Sequence, residues 1–423
     1  MRSQPHTGLH PTYIPQRTTT PIPQLRLLRP LRESLQLGHP WVYRQALQSP
    51  PDLPSGTVVE VVDREGFVAR GLYDRSSPLA IRIYTLDPSE PVDAALVDRR
   101  LGAALSIRQR VVSGLGRDTT GFRLCHGEGD RLPGIVIDIY GPIAVVITDG
   151  EAARTLLPAV TDSLVRRAEQ LSLTTIYERH QRRAGSGGGL LWGTPPNLPD
   201  GLRGRHPLEL VIFEHGMRLL VDVEHGQKTG MFLDQRENRR LIRDISHGLR
   251  VWNGFSYTGG FSVAAALGGA SHVVSVDRAE AAIDTARRNF QLAGLPTEPH
   301  QFLVEDAFAS LGRSKAQGER FDLVIVDPPS FAPTQQAVVG ALAAYRRLHE
   351  LAIDLVAPGG LLAAASCSSH VGEQAFLSTI GDASVAKRRA VQLLEVRGQP
   401  ADHPTLPAFP EGRYLKFILC AVS

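Results

Sequence analysis

The segment VWNGFSYTGGF, residues 251–261, reads as an apolar strand that runs into a glycine-containing loop and then into a helix. The next predicted strand ends at Asp277, 18 residues after Gly259. In a parallel sheet this spacing places the loop and the acid at neighbouring carboxyl ends, where the carboxylate can accept hydrogen bonds from ribose hydroxyls. Gly254, Gly259 and Gly260 do not fit the G-x-G-x-x-G spacing of a dinucleotide site. A nucleoside-type ligand without pyrophosphate is therefore favoured over NAD, and an ordinary strand-turn-helix corner is the alternative.

Two further acids and one cysteine end strands of the same predicted sheet. Asp306 follows the strand Gln301–Val304, Asp327 opens the segment DPPSF, and Cys367 lies in SCSS after another apolar run. The two prolines fix a short extended loop that can hold the Asp327 carboxylate toward a planar base. A thiolate at Cys367 can act as a nucleophile where nearby charge lowers its pKa. The alternatives are loop-capping acids, with Glu305 in place of Asp306, and an inert buried cysteine.

The segment HGQKTGMFLDQRE, residues 225–237, combines a flexible turn with polar side chains. Asp234 and Glu237 have the spacing of a capping box that opens a helix. A helix start attracts an anion such as a carboxylate, and Lys228 or Arg236 can add a charge partner. An exposed, capped helix without a ligand is the alternative.

From about residue 205 onward, strand and helix patterns alternate, which predicts a parallel sheet covered on both faces. The last two strands have no clear helix between them, so an antiparallel edge is expected. The predicted strands are Leu249–Trp252, His272–Val276, Gln301–Val304, Asp322–Val326, Gly360–Ala365, Ala390–Val396 and Tyr414–Val422. The predicted helices cover about 261–267, 279–293 and 335–356.

The residues before this unit divide into three predicted segments. Residues 1–24 hold five prolines and no acid, which predicts a disordered extension rather than a transit peptide. Residues 25–91 predict a small, mostly β domain with strands at Thr57–Asp63, Phe67–Tyr73 and Ala80–Leu86. Residues 92–195 predict an α+β unit. Its helices are Val92–Val112 and Ala152–Leu171, its hairpin is Gly134–Tyr140 with Ile143–Thr148, a further strand is Thr175–Tyr177, and a flexible GSGGG turn lies at 185–189.

Composition narrows the class of protein. The net charge of +3 over 423 residues permits nucleic-acid binding without requiring it. Apolar runs are too short for a membrane span, which needs about 18–20 residues. The three cysteines, Cys125, Cys367 and Cys420, cannot build a disulfide framework, and no Cys/His cluster has the spacing of a zinc site. A cytoplasmic protein is the expectation, and a homo-oligomer is compatible with the sequence.

Taken together, these motifs resemble the RlmI-type family of S-adenosylmethionine-dependent large-subunit rRNA cytosine-C5 methyltransferases. The resemblance runs from about Leu25 to the C-terminus. It is carried by GQKTGMFLDQRENRR (226–240), NGFSYTGGF (253–261), DPPSF (327–331), SCS (366–368) and ADHP…PEGRYLK (401–416). Their order and spacing together are more specific than any one motif. The implied architecture is α/β: a small β PUA-like RNA-binding domain (25–91), a central α+β domain (92–195) and a Rossmann-like class I methyltransferase domain (196–423).

The resemblance also implies roles for individual residues. Asp277 would bind the ribose hydroxyls of the cofactor, Asp306 would lie at the adenine, Cys367 would be the nucleophile and Asp327 would stabilise charge at N3 of the target base. An Arg236 contact with the methionine carboxylate is an additional inference. The remaining residues implied near S-adenosylmethionine are Thr229, Gly230, Phe232, Gln235, Phe255, Ser256, Tyr257, Thr258 and Gly259, and Asp327 is implied there as well as at the target base.

The expected partner is 23S rRNA or a large-subunit assembly intermediate. The wider group of cytosine-C5 methyltransferases often carries a second cysteine after the acid-proline pair, whereas this chain has Asp-Pro-Pro-Ser at 327–330. One cysteine would then have to suffice, or another base would have to release the product. Two alternatives remain open: an rRNA guanine-N methyltransferase without covalent catalysis, and a non-catalytic RNA-binding assembly factor.

Overall fold

The protein is described by a computed structural model that covers residues 21–48, 52–180 and 188–423. The predicted extension lies outside the described residues up to residue 20, as does the GSGGG turn up to residue 187. Gln24, the last residue of the predicted extension, is already in a strand, so the prediction is wrong at this position. The cause is long-range pairing, because Gln24 lies beside Glu60 in a parallel ladder.

The first sheet has five strands in the order β1-β3-β4-β5-β2. Its elements are β1 (Gln24–Arg26), α1 (Arg32–Gln36), β2 (Trp41–Tyr43), β3 (Val58–Asp63), β4 (Gly66–Tyr73) and β5 (Leu79–Thr85). Leu25, Val42, Val59 and Ile81 are buried in its core. The three strands predicted from apolar runs lie within two residues of β3, β4 and β5, because each run is long and bounded by turn residues.

The second sheet has the order β10-β9-β8-β7-β6. Its elements are α2 (Ala94–Val111), β6 (Gly121–His126), β7 (Ile135–Tyr140), β8 (Ile143–Thr148), α3 (Glu151–Arg154), α4 (Leu157–Arg166), α5 (Ala168–Leu171), β9 (Thr175–Glu178) and β10 (Gly189–Gly193). The predicted single helix over 152–171 is wrong. Pro158 lies near the start of α4 and has no N–H to donate to the carbonyl of Arg154, so one continuous helix cannot form there.

A two-stranded hairpin and a helix precede the third sheet: β11 (Glu209–Glu214), β12 (Met217–Asp222) and α6 (Arg236–Ile245). The hairpin was not predicted. Its turn residues His215 and Gly216 have φ of +47° and +77°. Two successive left-handed residues are the geometry of a two-residue hairpin turn.

The third sheet has seven strands in the order β15-β14-β13-β16-β17-β19-β18. Its elements are β13 (Arg250–Gly254), α7 (Gly260–Leu267), β14 (His272–Asp277), α8 (Glu280–Leu292), β15 (Gln301–Val304), α9 (Ala307–Ala316), β16 (Phe321–Val326), α10 (Val338–Leu355), β17 (Val356–Ser366), α11 (Glu373–Lys387), β18 (Val391–Arg397) and β19 (Lys416–Val422). The first five strands in this order are parallel, and β19 runs antiparallel to β17 and β18.

This arrangement confirms the α/β fold class and the antiparallel edge, although α9 and α11 were not predicted. Five carboxyl ends therefore meet at one edge of the sheet, where open α/β folds bind their ligands. Two apolar clusters cover the two faces, one around Val251 and Ile325 and the other around Trp252 and Val324. Among the described helices, none is both long enough and apolar enough to cross a bilayer.

Candidate active site

A cavity of about 620 Å³ opens at the carboxyl ends of β13 to β17. Residues predicted for the site form much of its wall: Phe232, Gln235, Phe255, Ser256, Tyr257, Thr258, Asp277, Asp306, Asp327 and Cys367. Four other predicted residues do not line it: Thr229, Gly230, Arg236 and Gly259. Side chains that sequence reasoning did not assign complete the wall, among them Gln227, Met231, Asp234, Arg239, Arg278, Phe308 and Phe331.

The loop after β13 is a tight turn. Phe255, Tyr257 and Gly259 have φ of +58°, +47° and +78°. The Ser256 amide donates to the carbonyl of Val276 at 3.0 Å, which ties the loop to β14. Gly259 packs against α8, since a Cβ there would lie 2.8 Å from a neighbouring alanine Cβ. Close packing of the loop against α8 therefore requires glycine at this position.

Two acids lie toward the β14 and β15 side of the cavity. The Asp277 carboxylate accepts hydrogen bonds from the amides of Tyr257 and Ala279, each at 2.9 Å. Asp306 is exposed and caps α9 by accepting from the amide of Ala309 at 3.1 Å. Each carboxylate oxygen has a second lone pair, so both acids can still accept from a ligand. Asp306 therefore combines the capping role and the cavity position that the sequence left as alternatives.

Asp327 and Cys367 line the same cavity from the ends of β16 and β17. Burial and the nearby charge of Asp234 raise the pKa of Asp327 to about 7, although Gln235 donates to its Oδ2 at 3.0 Å. Burial and the Asp327 charge also raise the pKa of Cys367, and the cations of Lys228 and Lys416 partly oppose this rise. The cavity thus holds an acid that exchanges its proton near neutral pH beside a thiol that is protonated at rest.

Lys416 supports the segment that carries Cys367. Its side chain is buried, and its ammonium donates to the carbonyls of Ser368 at 2.6 Å and Tyr414 at 2.8 Å. Burial lowers the pKa of Lys416 to about 8, and the Cys367 thiolate acts in the opposite direction. The segment around Cys367 is therefore held by a cation that still carries its charge at neutral pH.

Arg236, for which a contact with the methionine carboxylate was predicted, is instead held in a buried ion pair behind the cavity wall. The Arg236 side chain is 1% exposed and donates to both oxygens of Asp402, at 2.8 and 3.0 Å. It also donates to Glu237 at 3.0 Å. These carboxylates engage three of the five N–H groups of the guanidinium, and Arg236 is not among the residues of the cavity wall.

The capping box predicted at the start of α6 does not form. The helix begins without a side-chain cap. Asp234 instead accepts from the Tyr414 hydroxyl at 2.7 Å, and Glu237 contacts His215 at 3.0 Å. Both acids have partners from distant parts of the chain, and these partners hold them away from the local amides.

Thr229 and Gly230 lie behind the cavity wall and join it to the second sheet. The Thr229 hydroxyl donates to Asp138 at 2.5 Å and lies 2.8 Å from the Tyr140 hydroxyl, and both partners are on β7. Gly230 has a φ of +149°, and a Cβ there would come within 2.5 Å of the Val221 side chain. These two residues therefore position the segment that carries Phe232 and Gln235.

The residues present fit S-adenosylmethionine. A volume of about 620 Å³ is in the usual range for small-molecule sites. Phe255 and Phe308 stand edge to face, 6.2 Å apart, beside Asp306 and offer apolar surface for a planar base. Four carboxylates, those of Asp234, Asp277, Asp306 and Asp327, line the cavity. The guanidiniums of Arg239 and Arg278 line it as well, and the excess of carboxylates suits a cationic sulfonium and disfavours a pyrophosphate.

Comparisons with known proteins agree with this fit. A family model described as S-adenosylmethionine-dependent methyltransferase matches residues 158–409, and one described as PUA-like domain matches residues 25–86. Ribosomal RNA large subunit methyltransferase I of Escherichia coli O139:H28 is 38% identical over 417 residues, covering 94% of this chain and 99% of the relative. The protein of the same name from Shigella boydii serotype 4 gives the same values.

Solved structures share the fold along the chain. A candidate SAM-dependent methyltransferase from Streptococcus mutans superposes with a TM-score of 0.81 at 21% identity, covering 95% of this chain and all of that one (100%). A candidate methyltransferase complexed with SAH gives a TM-score of 0.82 at 22% identity, with the same two coverages.

Proposed function

The chain belongs to the S-adenosylmethionine-dependent methyltransferases and, among them, to the ribosomal RNA large subunit methyltransferase I family, and on this premise we propose that it methylates C5 of a cytosine in 23S rRNA. Its cofactor is S-adenosylmethionine, which supplies an electrophilic methyl group when bound. The observation that carries the proposal is the presence of Cys367 and Asp327 in one cavity, at the ends of adjacent strands.

Cys367 acts as the nucleophile in this proposal. After the thiol has given its proton to solvent water, Sγ bonds to C6 of the cytosine, the double bond shifts to C4–C5, and N3 gains a proton. C5 thereby becomes nucleophilic enough to accept a methyl group. Loss of the C5 proton to a base then restores the C5–C6 double bond and breaks the bond between Sγ and C6.

Asp327 supplies the proton at N3 and takes it back at elimination. A carboxyl with a pKa of about 7 is protonated in about half of the molecules at neutral pH, so it can act in both directions. An ordinary aspartate would be almost fully ionised there and could not donate. The burial that raises the pKa of Asp327 therefore serves the reaction directly.

The proposal includes the cofactor contacts implied by the family resemblance and adds Phe308 to them. Asp277 accepts from the ribose hydroxyls, Asp306 and Phe308 flank the adenine, and the loop from Phe255 to Gly259 surrounds the methionine portion. Phe232 and Gln235, which the resemblance implies next to the cofactor, close the cavity between the cofactor and the target base. Thr229 and Gly230 act through the position of this segment and do not touch the cofactor.

RNA binding and catalysis belong to separate domains in this proposal. We retain the boundaries 25–91, 92–195 and 196–423 for the PUA-like, central and methyltransferase domains. The PUA-like domain holds the RNA while the target nucleotide leaves its stack to reach the cavity, since the reacting ring atoms are not accessible inside a duplex. A single-stranded or opened region of rRNA is the expected substrate.

The test incubates the purified full chain with isotopically labelled S-adenosylmethionine and unmodified large-subunit rRNA. Nucleoside mass spectrometry should find labelled 5-methylcytidine with the wild type and none with Cys367→Ala. Cys420→Ala, which changes a buried cysteine on the neighbouring strand β19, serves as the matched control and should retain the product. Labelled methylguanosine that survives Cys367→Ala would replace the proposal with a guanine enzyme.

A second arm tests the covalent step alone. RNA with 5-fluorocytosine at the target position lacks the C5 proton, so elimination is blocked and the adduct should accumulate. A protein–RNA conjugate that resists denaturation is expected for the wild type and not for Cys367→Ala. Its absence in a preparation that methylates ordinary rRNA would exclude the covalent mechanism.

A further inference from the structure

Asp234 presents a buried, unused acceptor at the wall of the cavity. Its residue surface is 7% exposed, and its Oδ2 accepts from the Tyr414 hydroxyl at 2.7 Å. Its Oδ1 is buried and has no hydrogen-bond partner within the described part of the chain. A buried carboxylate oxygen without a partner destabilises the folded chain, because its desolvation is not compensated by a hydrogen bond. Such a cost is typical of a group that is kept for a ligand.

The position of Asp234 is on the target side of the cavity. The sheet order places β15, β14 and β13 on one side and β16, β17 and β19 on the other. The side chain bonded to Asp234 belongs to Tyr414, which lies two residues before β19, and the next residue, Gln235, donates to Asp327. The charge of Asp234 also acts on both Asp327 and Cys367. Asp234 therefore stands beside the groups that meet the base, away from Asp277 and Asp306.

Asp234 is an anion in this environment. Burial alone would raise the pKa of Asp234, but Lys228, His403 and the Tyr414 hydroxyl outweigh this effect and hold its pKa below the ordinary value. The exposed Lys228 ammonium lies 5.7 Å from the Phe232 ring and 5.9 Å from the Tyr414 ring. An ionised carboxylate can only accept hydrogen bonds, so the free oxygen requires an N–H or O–H donor.

We propose that Asp234 selects cytosine over uracil by accepting a hydrogen bond from the exocyclic N4 amino group. The inference rests on the proposed function and adds a determinant of specificity to it. Uracil has a carbonyl oxygen in place of the amino group, and two acceptors facing each other in a buried site repel. A site built to pair one polar group can reject the analogue that lacks it by factors of about 10⁴ or more.

Asp234→Asn is the decisive variant because Tyr414 fixes the orientation of the side chain. The amide oxygen can keep the bond from the Tyr414 hydroxyl, which leaves the NH₂ group at the free position, where it can donate to O4 of uracil. We expect methylation of cytosine to fall by about 10²-fold and that of uracil to become detectable, so that the preference for cytosine falls by about 10³-fold or more. The readout is single-turnover formation of labelled 5-methylcytidine and 5-methyluridine from matched rRNA fragments carrying C or U at the target.

Two further variants keep the test decisive. Tyr414→Phe retains the carboxylate and removes its anchor, so a smaller loss of preference is expected even if Asp234→Asn folds poorly. Asp382→Asn makes the same charge change at an exposed site on α11 and should leave the preference unchanged. An unchanged preference in both Asp234→Asn and Tyr414→Phe would overturn the proposal.

The cofactor is the competing source of a donor, through its methionine ammonium. Calorimetric titration of each variant with S-adenosylmethionine distinguishes the two sources. Weaker cofactor binding with an unchanged preference would assign Asp234 to the cofactor and overturn the inference. A wild type that binds S-adenosylmethionine but never forms 5-methylcytidine would instead contradict the proposed function, whatever Asp234→Asn does.

Discussion

The side-chain amide of Gln235 donates a 3.0 Å hydrogen bond to the carboxylate of Asp327. The same amide accepts at its oxygen from Asn238, at 2.6 Å, which fixes the NH₂ group toward Asp327. The bond favours the ionised form of Asp327, whereas burial favours the neutral form. A pKa near 7 is therefore the balance of two opposing effects, and one of them comes from a segment far away in sequence.

Replacement of Gln235 with alanine should shift the pH profile of the reaction. Without the hydrogen bond the pKa of Asp327 rises above about 7, and the acid form that protonates N3 persists to higher pH. A hydrogen bond to a charged group is worth about 1.5–3 kcal/mol, equivalent to about one or two pH units. Single-turnover methyl transfer should be measured at about ten pH values between pH 6 and pH 9. The alkaline limb of the profile should lie at higher pH than in the wild type.

The control for this shift is Gln392→Ala, which removes an exposed amide on β18 and should leave the profile unchanged. An alkaline limb at the same pH in Gln235→Ala and the wild type would show that Asp327 does not set it.

Ionisation of Asp327 should reduce the stability of the fold. Its pKa is about 7 in the folded chain against 3.8 in the ordinary state, so the folded chain binds the extra proton between these values. Stability therefore falls as the pH rises from about 4 to about 7, by at most about 4 kcal/mol. Asp327→Asn should unfold at higher denaturant concentration than the wild type at pH 8, and by a smaller margin at pH 5.

The same variant should lose methyl transfer, since an amide cannot deliver the proton to N3. Asp382→Asn is again the matched charge change and should show no pH-dependent gain in stability. Equal stabilisation by Asp327→Asn at pH 5 and pH 8 would contradict the raised pKa.

The reactive residues that lie at the ends of strands were the part of the site that could be predicted from the sequence. Asp277, Asp327 and Cys367 each follow an apolar run, and parallel strands bring their carboxyl ends to one edge whatever the rest of the chain does. The structure places all three in one cavity. Their roles in the reaction stay predictions.

What could not be predicted depends on pairs far apart in sequence. Arg236 and Asp402 are 166 residues apart, and Asp234 and Tyr414 are 180 apart. Local patterns instead suggested a cofactor contact for Arg236 and a capping box for Asp234. The only signal for Asp234 was its acidic character beside the apolar Met231 to Leu233, which does not distinguish a helix cap from a buried ligand group.

Arg236 and Asp402 should behave as a buried ion pair rather than as cofactor ligands. Loss of one partner leaves the other charged and buried, so Arg236→Met and Asp402→Leu should each cost about 3–5 kcal/mol of unfolding free energy. The double variant should be more stable than the sum of the two losses implies. Urea unfolding of all four proteins measures this coupling. A cofactor affinity that falls in Arg236→Met without any loss of stability would restore the carboxylate contact.

Lys416 should control the reactivity of Cys367 below pH 8. Its ammonium opposes the rise in the pKa of the thiol, and its own pKa is about 8. Lys416→Met should therefore slow the alkylation of Cys367 by iodoacetamide at pH 7, by about threefold to tenfold, and the difference from the wild type should shrink as the pH rises past 8. Mass spectrometry follows the labelling of Cys367, and the buried Cys125 and Cys420 act as internal references.

Two further lysine variants separate the effect of charge on the alkylation rate from the effect of packing. Lys416→Arg keeps a cation near the carbonyl of Ser368 and should restore most of the alkylation rate, whereas an effect of packing alone would not be rescued by charge. Lys387→Met removes a lysine that is paired with Asp354 on the far side of the fold and should leave the rate unchanged. Equal alkylation rates in Lys416→Met and the wild type at pH 7 would show that the thiolate is stabilised by another group, and Lys228, which acts on Cys367 in the same direction, would be the next residue to substitute.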